Sequence, residues 1–193
     1  MRDENAKDEG GRAPSPPPIG LAPDLAGATD AQRRLVEAIA SGPRGSVPSP
    51  FLAMLDAPEL ADAIQRVGTV LRFDSRLPDT VREIAILATA GAVACGYEWN
   101  YHAPIAEAAG VPVEAIAATR PGAPIEDIGD PAATVIALCR ALATHAAPDP
   151  ALLDAAVARL GRAGATEIMA IAGYYGLLAH FIRWAGFDER FAG

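Results

Sequence analysis

From Thr29 onward apolar side chains recur at intervals of three and four. Ala31, Leu35, Val36 and Ile39 predict a helix that Thr29 or Asp30 caps and that Gly42, Pro43 and Gly45 end. Phe51 to Leu55 is a short apolar run. Asp56 and Pro58 then supply a cap and a first-turn proline for a helix to about Phe73, with Leu60, Ile64, Val67 and Leu71 as its inner stripe. DSRLPD breaks that pattern, and Pro78 with Asp79 opens TVREIAILATAGAVA, apolar almost all round and therefore expected at the centre of the core. Gly91 and Gly96 mark close helix packing or a break near its end. YEWNYHAPIAEAAG predicts another helix, stopped by Gly110 before Val111-Pro112, and residues 119–131 form a Pro/Gly loop. Asp130-Pro131 and Asp149-Pro150 start AATVIALCRALATHA and ALLDAAVARLG, and ATEIMAIAGYYGLLAHFIRWAG is a final long helix ending at Gly186. No run alternates as a half-buried strand does. The predicted fold class is all-α, with seven or eight helices joined by short loops, in one domain over residues 29–193.

Composition adds limits to this pattern. Residues 1–28, rich in charge, Gly and Pro, bury too little apolar surface to offset their ordering entropy and are expected to form a disordered arm. At 193 residues and 51% hydrophobic, the chain is long enough to close a sizeable core. A net charge of -8 has the wrong sign for a phosphate backbone or a polybasic membrane patch, so no nucleic-acid partner is expected. Two cysteines, Cys95 and Cys139, make no extracellular disulfide framework, and the start MRDENAKDEGG has no apolar stretch of the signal-peptide kind. The expectation is a cytoplasmic protein. The apolar window 84–97, between Glu83 and Glu98, falls short of the roughly 18 to 20 residues of a membrane span, so no membrane partner is expected either.

Candidate chemistry gathers in the apolar middle, where Glu83, Cys95, Tyr97, Glu98, Trp99, Tyr101 and His102 crowd together. Glu98 and His102, at i and i+4, stand about 40° apart on a helix, with Cys95 about one turn before Glu98. A carboxylate beside an imidazole raises its pKa and fixes its tautomer, which suits a general acid near neutral pH; the alternative is a solvated ion pair without chemistry. The neighbouring aromatics fit a lined pocket. Arg72 or Arg82 is a candidate to hold a substrate carboxylate, or is a surface or intersubunit ion pair. His180 and Trp184, with Tyr174 and Tyr175 a turn earlier, either face the same pocket or are core aromatics. His145, at a helix end, is given no chemistry. Glu-x3-His has no second matching element, so no metal is expected, and the absence of Gly-rich phosphate motifs leaves no nucleotide cofactor to expect.

R-E-I-A-I-L at 82–87, C-G-Y-E-W-N-Y-H at 95–102 and the following A-x-x-A-G-V resemble the carboxymuconolactone decarboxylase and alkylhydroperoxidase D superfamily. GPRGSVPSPFLAMLDAPELADAIQRVGTVLRFDSRLP upstream and GYYGLLAHFI downstream extend the likeness over about residues 32–186. The resemblance implies an alkylhydroperoxidase D-like helical bundle. The peroxidase branch carries E-x11-C-x2-C-x3-H, onto which Glu83, Cys95 and His102 fall, while the second cysteine position is Glu98. A carboxylate forms no disulfide, so the redox cycle of two neighbouring thiols is lost. Cys139 is in another predicted helix, and Cys95 is either a small core residue or a lone redox-sensitive thiol.

The retained Glu and His are similar to the decarboxylase branch, which uses no cofactor. The resemblance therefore implies a cofactor-independent lyase doing acid/base chemistry, decarboxylation or isomerisation, on a small cyclic or lactone acid. Its expected catalytic residues are His102, Glu98, Glu83 and Cys95, with Tyr97, Trp99, Arg72, Arg82, Tyr175 and His180 toward substrate. In that scheme His102 is the acid or base, Glu98 orients it, and Glu83 is a second proton carrier. A homo-oligomer, trimer or hexamer, is implied as well. The alternatives are a thiol-dependent alkyl hydroperoxide reductase using Cys95 and a non-catalytic ligand-binding or assembly protein.

Overall fold

The segment apolar on every side becomes the central helix. A computed structural model describes residues 17–145, 147 and 149–192. In it the chain forms α1 (Asp30–Ala40), α2 (Ser49–Ala53), α3 (Pro58–Phe73), α4 (Asp79–Ala92), α5 (Gly96–Ala108), α6 (Val113–Ala118), α7 (Ala132–Ala143) and α8 (Pro150–Trp184). No strand occurs among the described residues. Val81 and every residue from Glu83 to Gly91 on α4 are buried, and α5, α7 and α8 pack around that helix. α2 and α3 rest on α8, and α1 rests on α3. Apolar residues from α1 to α8 join in one core cluster.

Local signals set most of the ends. Thr29 closes a reciprocal cap on α1: its Oγ1 accepts from the Gln32 N–H at 3.3 Å, and Gln32 Oε1 accepts from the Thr29 N–H at 2.7 Å. Gln32 Nε2 then donates to the Leu55 carbonyl at 2.8 Å, which ties this cap to the end of α2. α8 is interrupted at Gly161, whose φ of 71° takes the left-handed conformation that glycine adopts without strain. The two helices expected over this stretch are thus the two arms of α8. By length and composition α8 is the helix, among the described residues, that would cross a membrane, but half of its apolar window is buried in the bundle and Gly161 breaks it. Within this fold it is a core helix.

Several expectations are corrected. Ala57 rather than Asp56 precedes α3, and Asp56 Oδ2 instead accepts from the Gly20 N–H at 2.7 Å. On α3 the buried positions are Ala61, Gly68 and Leu71, whereas Leu60 and Val67 are about half exposed, at 52% and 49%. Small residues bring α3 close to its neighbours, which turns the buried stripe by about one position. Of the arm expected over 1–28, residues 1–16 lie outside the described residues. Residues 17–28 lie against the bundle instead, with the Leu21 N–H donating to the Leu52 carbonyl at 3.0 Å and Leu21 and Leu25 packed on the core.

The end of the chain fastens α5 in place. Cys95 offers no side-chain cap to that helix, but Asp188 Oδ1 accepts from the Tyr97 N–H at 3.2 Å and supplies a carboxylate at the helix N-terminus. Asn100 Nδ2 donates to the Arg190 carbonyl at 2.8 Å, and Asn100 Oδ1 accepts from the Ala192 N–H at 2.7 Å. Gly96 makes this approach possible: a Cβ there would stand 2.0 Å from the Glu189 carbonyl oxygen.

Gly91 plays the same part where α4 meets the end of α6, since a Cβ on it would stand 1.9 Å from the Thr119 carbonyl oxygen. In an uncrowded helix Gly→Ala gains about 1 kcal/mol. Here overpacking against backbone outweighs that gain, and Gly91→Ala is expected to lose roughly 1–3 kcal/mol. Urea denaturation checks it; an unchanged or raised midpoint would show that α4 and α6 do not meet so closely.

Candidate active site

Three helices bring one hydrogen-bonded line together in the core. Glu83 on α4 accepts from His102 Nδ1 of α5 at 2.7 Å, and Tyr175 of α8 stands 3.1 Å from His102 Nε2. All three side chains are buried. Burial opposes the charge on Glu83, but the His102 hydrogen bond and Arg82, with its Nε at 3.2 Å, hold the carboxyl below its ordinary value. For His102 burial dominates and outweighs the pull of Glu83, so the imidazole is held below its ordinary value. The result is a neutral imidazole with Nδ1–H fixed on a carboxylate, a Tyr175 hydroxyl donating to Nε2, and Nε2 as the ring's basic atom.

Glu98 sits on the other side of the ring, 3.8 Å from Nε2 through Oε2. The expected division of labour between the two carboxylates is therefore reversed: Glu83 orients His102, and Glu98 faces the free side of the imidazole. Burial pushes the Glu98 carboxyl up to about 7, against the downward pull of Arg72 and Arg44. A narrow cavity of about 20 Å³ lies beside it, lined also by Arg44, Arg72, Tyr101 and Tyr174. That is room for about one water. Among the described residues, three buried side-chain polar atoms have no hydrogen-bond partner: Arg44 Nε, Glu98 Oε1 and Tyr174 Oη. All three belong to residues lining this one cavity. Orphaned buried polar atoms are rare, and three at a single place single this cavity out as the candidate site.

The remaining candidates divide. Tyr97 lines the cavity, its hydroxyl accepting from the Ser49 N–H at 3.2 Å. Arg72 lines it too, and among the described residues forms no ion pair; its guanidinium lies over Phe73 and Tyr101. Arg82 does not line it, because it is spent on Asp79 and Glu83. Trp99 faces away: its Nε1–H donates to Thr119 Oγ1 at 2.9 Å, Arg120 lies 4.1 Å over its ring, and Phe191 packs beside it.

Cys95 is fully buried beneath the chain end, its Sγ 3.7 Å from Asp188 Oδ1. Burial, with Asp188 and Glu98 adding to it, pushes the thiol up to about 12. Cys139 is a buried free thiol on α7, likewise pushed up to about 12 by burial. His180 is exposed and lines a separate groove between α7 and the second arm of α8. Among the described residues no group of three or more His, Cys, Asp and Glu side chains is arranged to hold a metal.

Arg44 had no role in the sequence reading, and Tyr174 only a weak one. Arg44 reaches the site from the Pro/Gly loop before α2. The one trace of it in the sequence is a lone cation between Pro43 and Gly45, a context that says nothing of where the side chain goes.

The Glu98 carboxyl binds a proton more tightly in the folded chain, at about 7, than when exposed, at about 4.3. Its contribution to stability is therefore complete below about pH 4 and is lost as pH rises through 7, in total on the order of 3 kcal/mol. Around it stand Arg44, Arg72, Asp188 and His102. Glu98→Gln, which carries no charge at any pH, is expected to gain more over the wild type at pH 8 than at pH 5. Denaturation midpoints at the two pH values measure this; equal gains would mean that Glu98 is not buried as a titrating acid.

Residues 58–143, from the start of α3 to the end of α7, match the family model described as Carboxymuconolactone decarboxylase family. No curated protein sequence matches the chain. The matched segment contains Arg72, Glu83, Glu98 and His102, whereas Arg44, Tyr174 and Tyr175 come from outside it. Through that segment, which lies within an all-helical bundle, the chain is similar to the carboxymuconolactone decarboxylase family.

Proposed function

We propose that the chain is a cofactor-independent enzyme that decarboxylates or isomerises a small cyclic or lactone acid. The observation that carries this reading is the pairing, on one cavity, of a neutral His102 held by Glu83 with a Glu98 carboxyl near 7. One is a base and the other an acid at the same pH, separated by a single ring edge.

In decarboxylation, the bond from ring carbon to carboxylate breaks, CO2 leaves, and the electron pair passes into the conjugated carbonyl. Glu98 protonates the carbanion carbon and is reprotonated by solvent. In isomerisation the Tyr175 hydroxyl gives up His102 Nε2 as the acid enters, Nε2 removes a proton beside the carbonyl, Glu98 returns one at the new carbon, and the proton on Nε2 then passes to the Glu98 carboxylate 3.8 Å away. Arg72 stands where it offsets the negative charge on the bound acid. The ring must open the cavity as it enters, since the space there is that of one water.

The rival reading, a peroxidase working through Cys95, has less support. A thiol pushed up to about 12, buried under the chain end and away from the cavity, yields little thiolate. The proposal also includes a homo-oligomer in a reducing cytoplasm, which the exposed apolar Leu60, Val67 and Val70 on α3 suit.

Turnover of a panel of ring and lactone acids, followed by mass spectrometry, tests the assignment. His102→Ala and Glu98→Gln are each expected to lower kcat/KM by about 10²- to 10⁴-fold, while Cys95→Ser keeps most of it. The wild-type rate is expected to fall as pH rises through 7, where Glu98 loses its proton, and Glu98→Gln is expected to lose that limb. Full activity in both acid/base variants, or abolition in Cys95→Ser alone, would overturn these roles.

A further inference from the structure

Arg44 and Tyr174 meet at Gly68. A Cβ on Gly68 would stand 2.0 Å from Tyr174 Oη and 2.6 Å from Arg44 Nη2, so both polar ends occupy the space that a side chain would otherwise fill. Glycine inside a helix is less favourable than alanine, and on α3 its missing side chain leaves room for two donors. Neither is fully partnered. Arg44 Nη2 donates to the Gln65 carbonyl at 3.2 Å, but Nε has no acceptor; Tyr174 Oη has none either.

The geometry is fixed rather than loose. The Arg44 guanidinium lies 4.7 Å over the ring of Phe51 and 5.7 Å over that of Phe73, which holds its plane. Tyr174 is buried and packs at 5.4 Å against Tyr175, the residue that touches His102. Among the described residues neither Arg44 nor Arg72 pairs with a carboxylate, whereas Glu83 already has Arg82. The cavity thus presents two guanidinium groups against the single carboxyl of Glu98, and the balance favours an anion.

We propose that Arg44 Nε and Tyr174 Oη, seated over Gly68, form a carboxylate-binding subsite that anchors a small organic acid beside Glu98 and His102. A carboxylate has the acceptor lone pairs that both orphaned donors lack, and it brings the charge that the two guanidinium groups ask for. Benzamide, of the same size as benzoate, has one carbonyl acceptor, no charge and two N–H groups that would face donors. The inference rests on the acid–base reading only for what happens to the bound acid; the subsite itself is a statement about binding.

Isothermal titration calorimetry on the full chain at pH 7, with acetate and benzoate against acetamide and benzamide, reads the subsite directly. At least one carboxylate is expected to bind, with its amide at least about tenfold weaker. Tyr174→Phe and Arg44→Met are each expected to weaken that carboxylate by about tenfold, and Gly68→Ala by a similar factor through displacement of the Tyr174 hydroxyl.

Tyr174→Phe is the decisive variant because it removes a buried hydroxyl that has no partner, so the melting temperature is expected to hold or rise while affinity falls. A purely structural tyrosine would show the opposite pattern. Binding of neither carboxylate, equal binding of the amide, or affinity unchanged in Tyr174→Phe and Arg44→Met would overturn the subsite. Loss of binding in these variants together with full turnover in His102→Ala and Glu98→Gln would instead leave the subsite standing and remove the acid–base reading.

Discussion

The pair formed by Glu83 and His102 is the constraint on which the site depends. A carboxylate in the middle of an apolar helix costs several kcal/mol in lost hydration unless it is paired and hydrogen-bonded. Here His102 and Arg82 take both its oxygens. Fully burying a single Ile or Leu gives about 1.5–3 kcal/mol, and α4 buries Ile84, Ile86 and Leu87 around that carboxylate. The helix therefore tolerates one charge, provided that α5 delivers an imidazole to it. Removing either partner would leave the other buried without a match, so the pair also locks α5 against α4 at the depth where Glu98 meets the cavity.

That depth is held from the outside as well. α5 is preceded by Cys95, whose side chain does not cap it, and the missing acceptor comes from Asp188 some ninety residues later in the chain. The same chain end grips Asn100 and covers Trp99 with Phe191. Gly91 and Gly96 bound the turn between α4 and α5, and each lets a backbone carbonyl come where a methyl group would stand. Packing in a protein interior transmits displacements of this size rather than absorbing them. The site helix is thus fixed by the buried hydrogen bond between Glu83 and His102 at one face and by a backbone strap at the other.

The longer helices and most of their ends were legible in the sequence, because they rest on local chemistry: the Thr29 cap, prolines at first turns, and glycines at breaks such as Gly161; the short α2 and α6, each under two turns, show no such pattern. Glu83, Glu98 and His102 were legible as a group because an apolar run makes polar residues conspicuous. Their roles were not. Spacing at i and i+4 joins Glu98 to His102 on paper, yet an imidazole has two nitrogens, and the one on the core side takes the carboxylate from another helix. Trp99 and His180 failed for a similar reason: helical periodicity shows which residues share a face but not what that face meets. Arg44, in a loop, was beyond reach, and Tyr174 was visible only as one of several aromatics on a distant helix; only the fold brings the two together over Gly68.

Position 98 is where this chain departs from the peroxidase pattern. Where the peroxidase pattern has a second thiol one turn after the first, this chain has a carboxyl that burial pushes up to about 7. A thiol pair needs access to oxidant and to each other; the Cys95 sulfur has neither, lying under Asp188. A carboxyl in the same place needs something different, a dry surrounding that keeps its proton available and a base close by that is not itself protonated. The cavity meets both conditions, because the burial that raises Glu98 also keeps His102 neutral. One physical cause, burial of both groups beside a pocket rich in aromatic rings, raises the acid and lowers the base. A carboxyl and a neutral imidazole therefore stand side by side, and the Cys95 thiol, raised by the same burial, yields little thiolate.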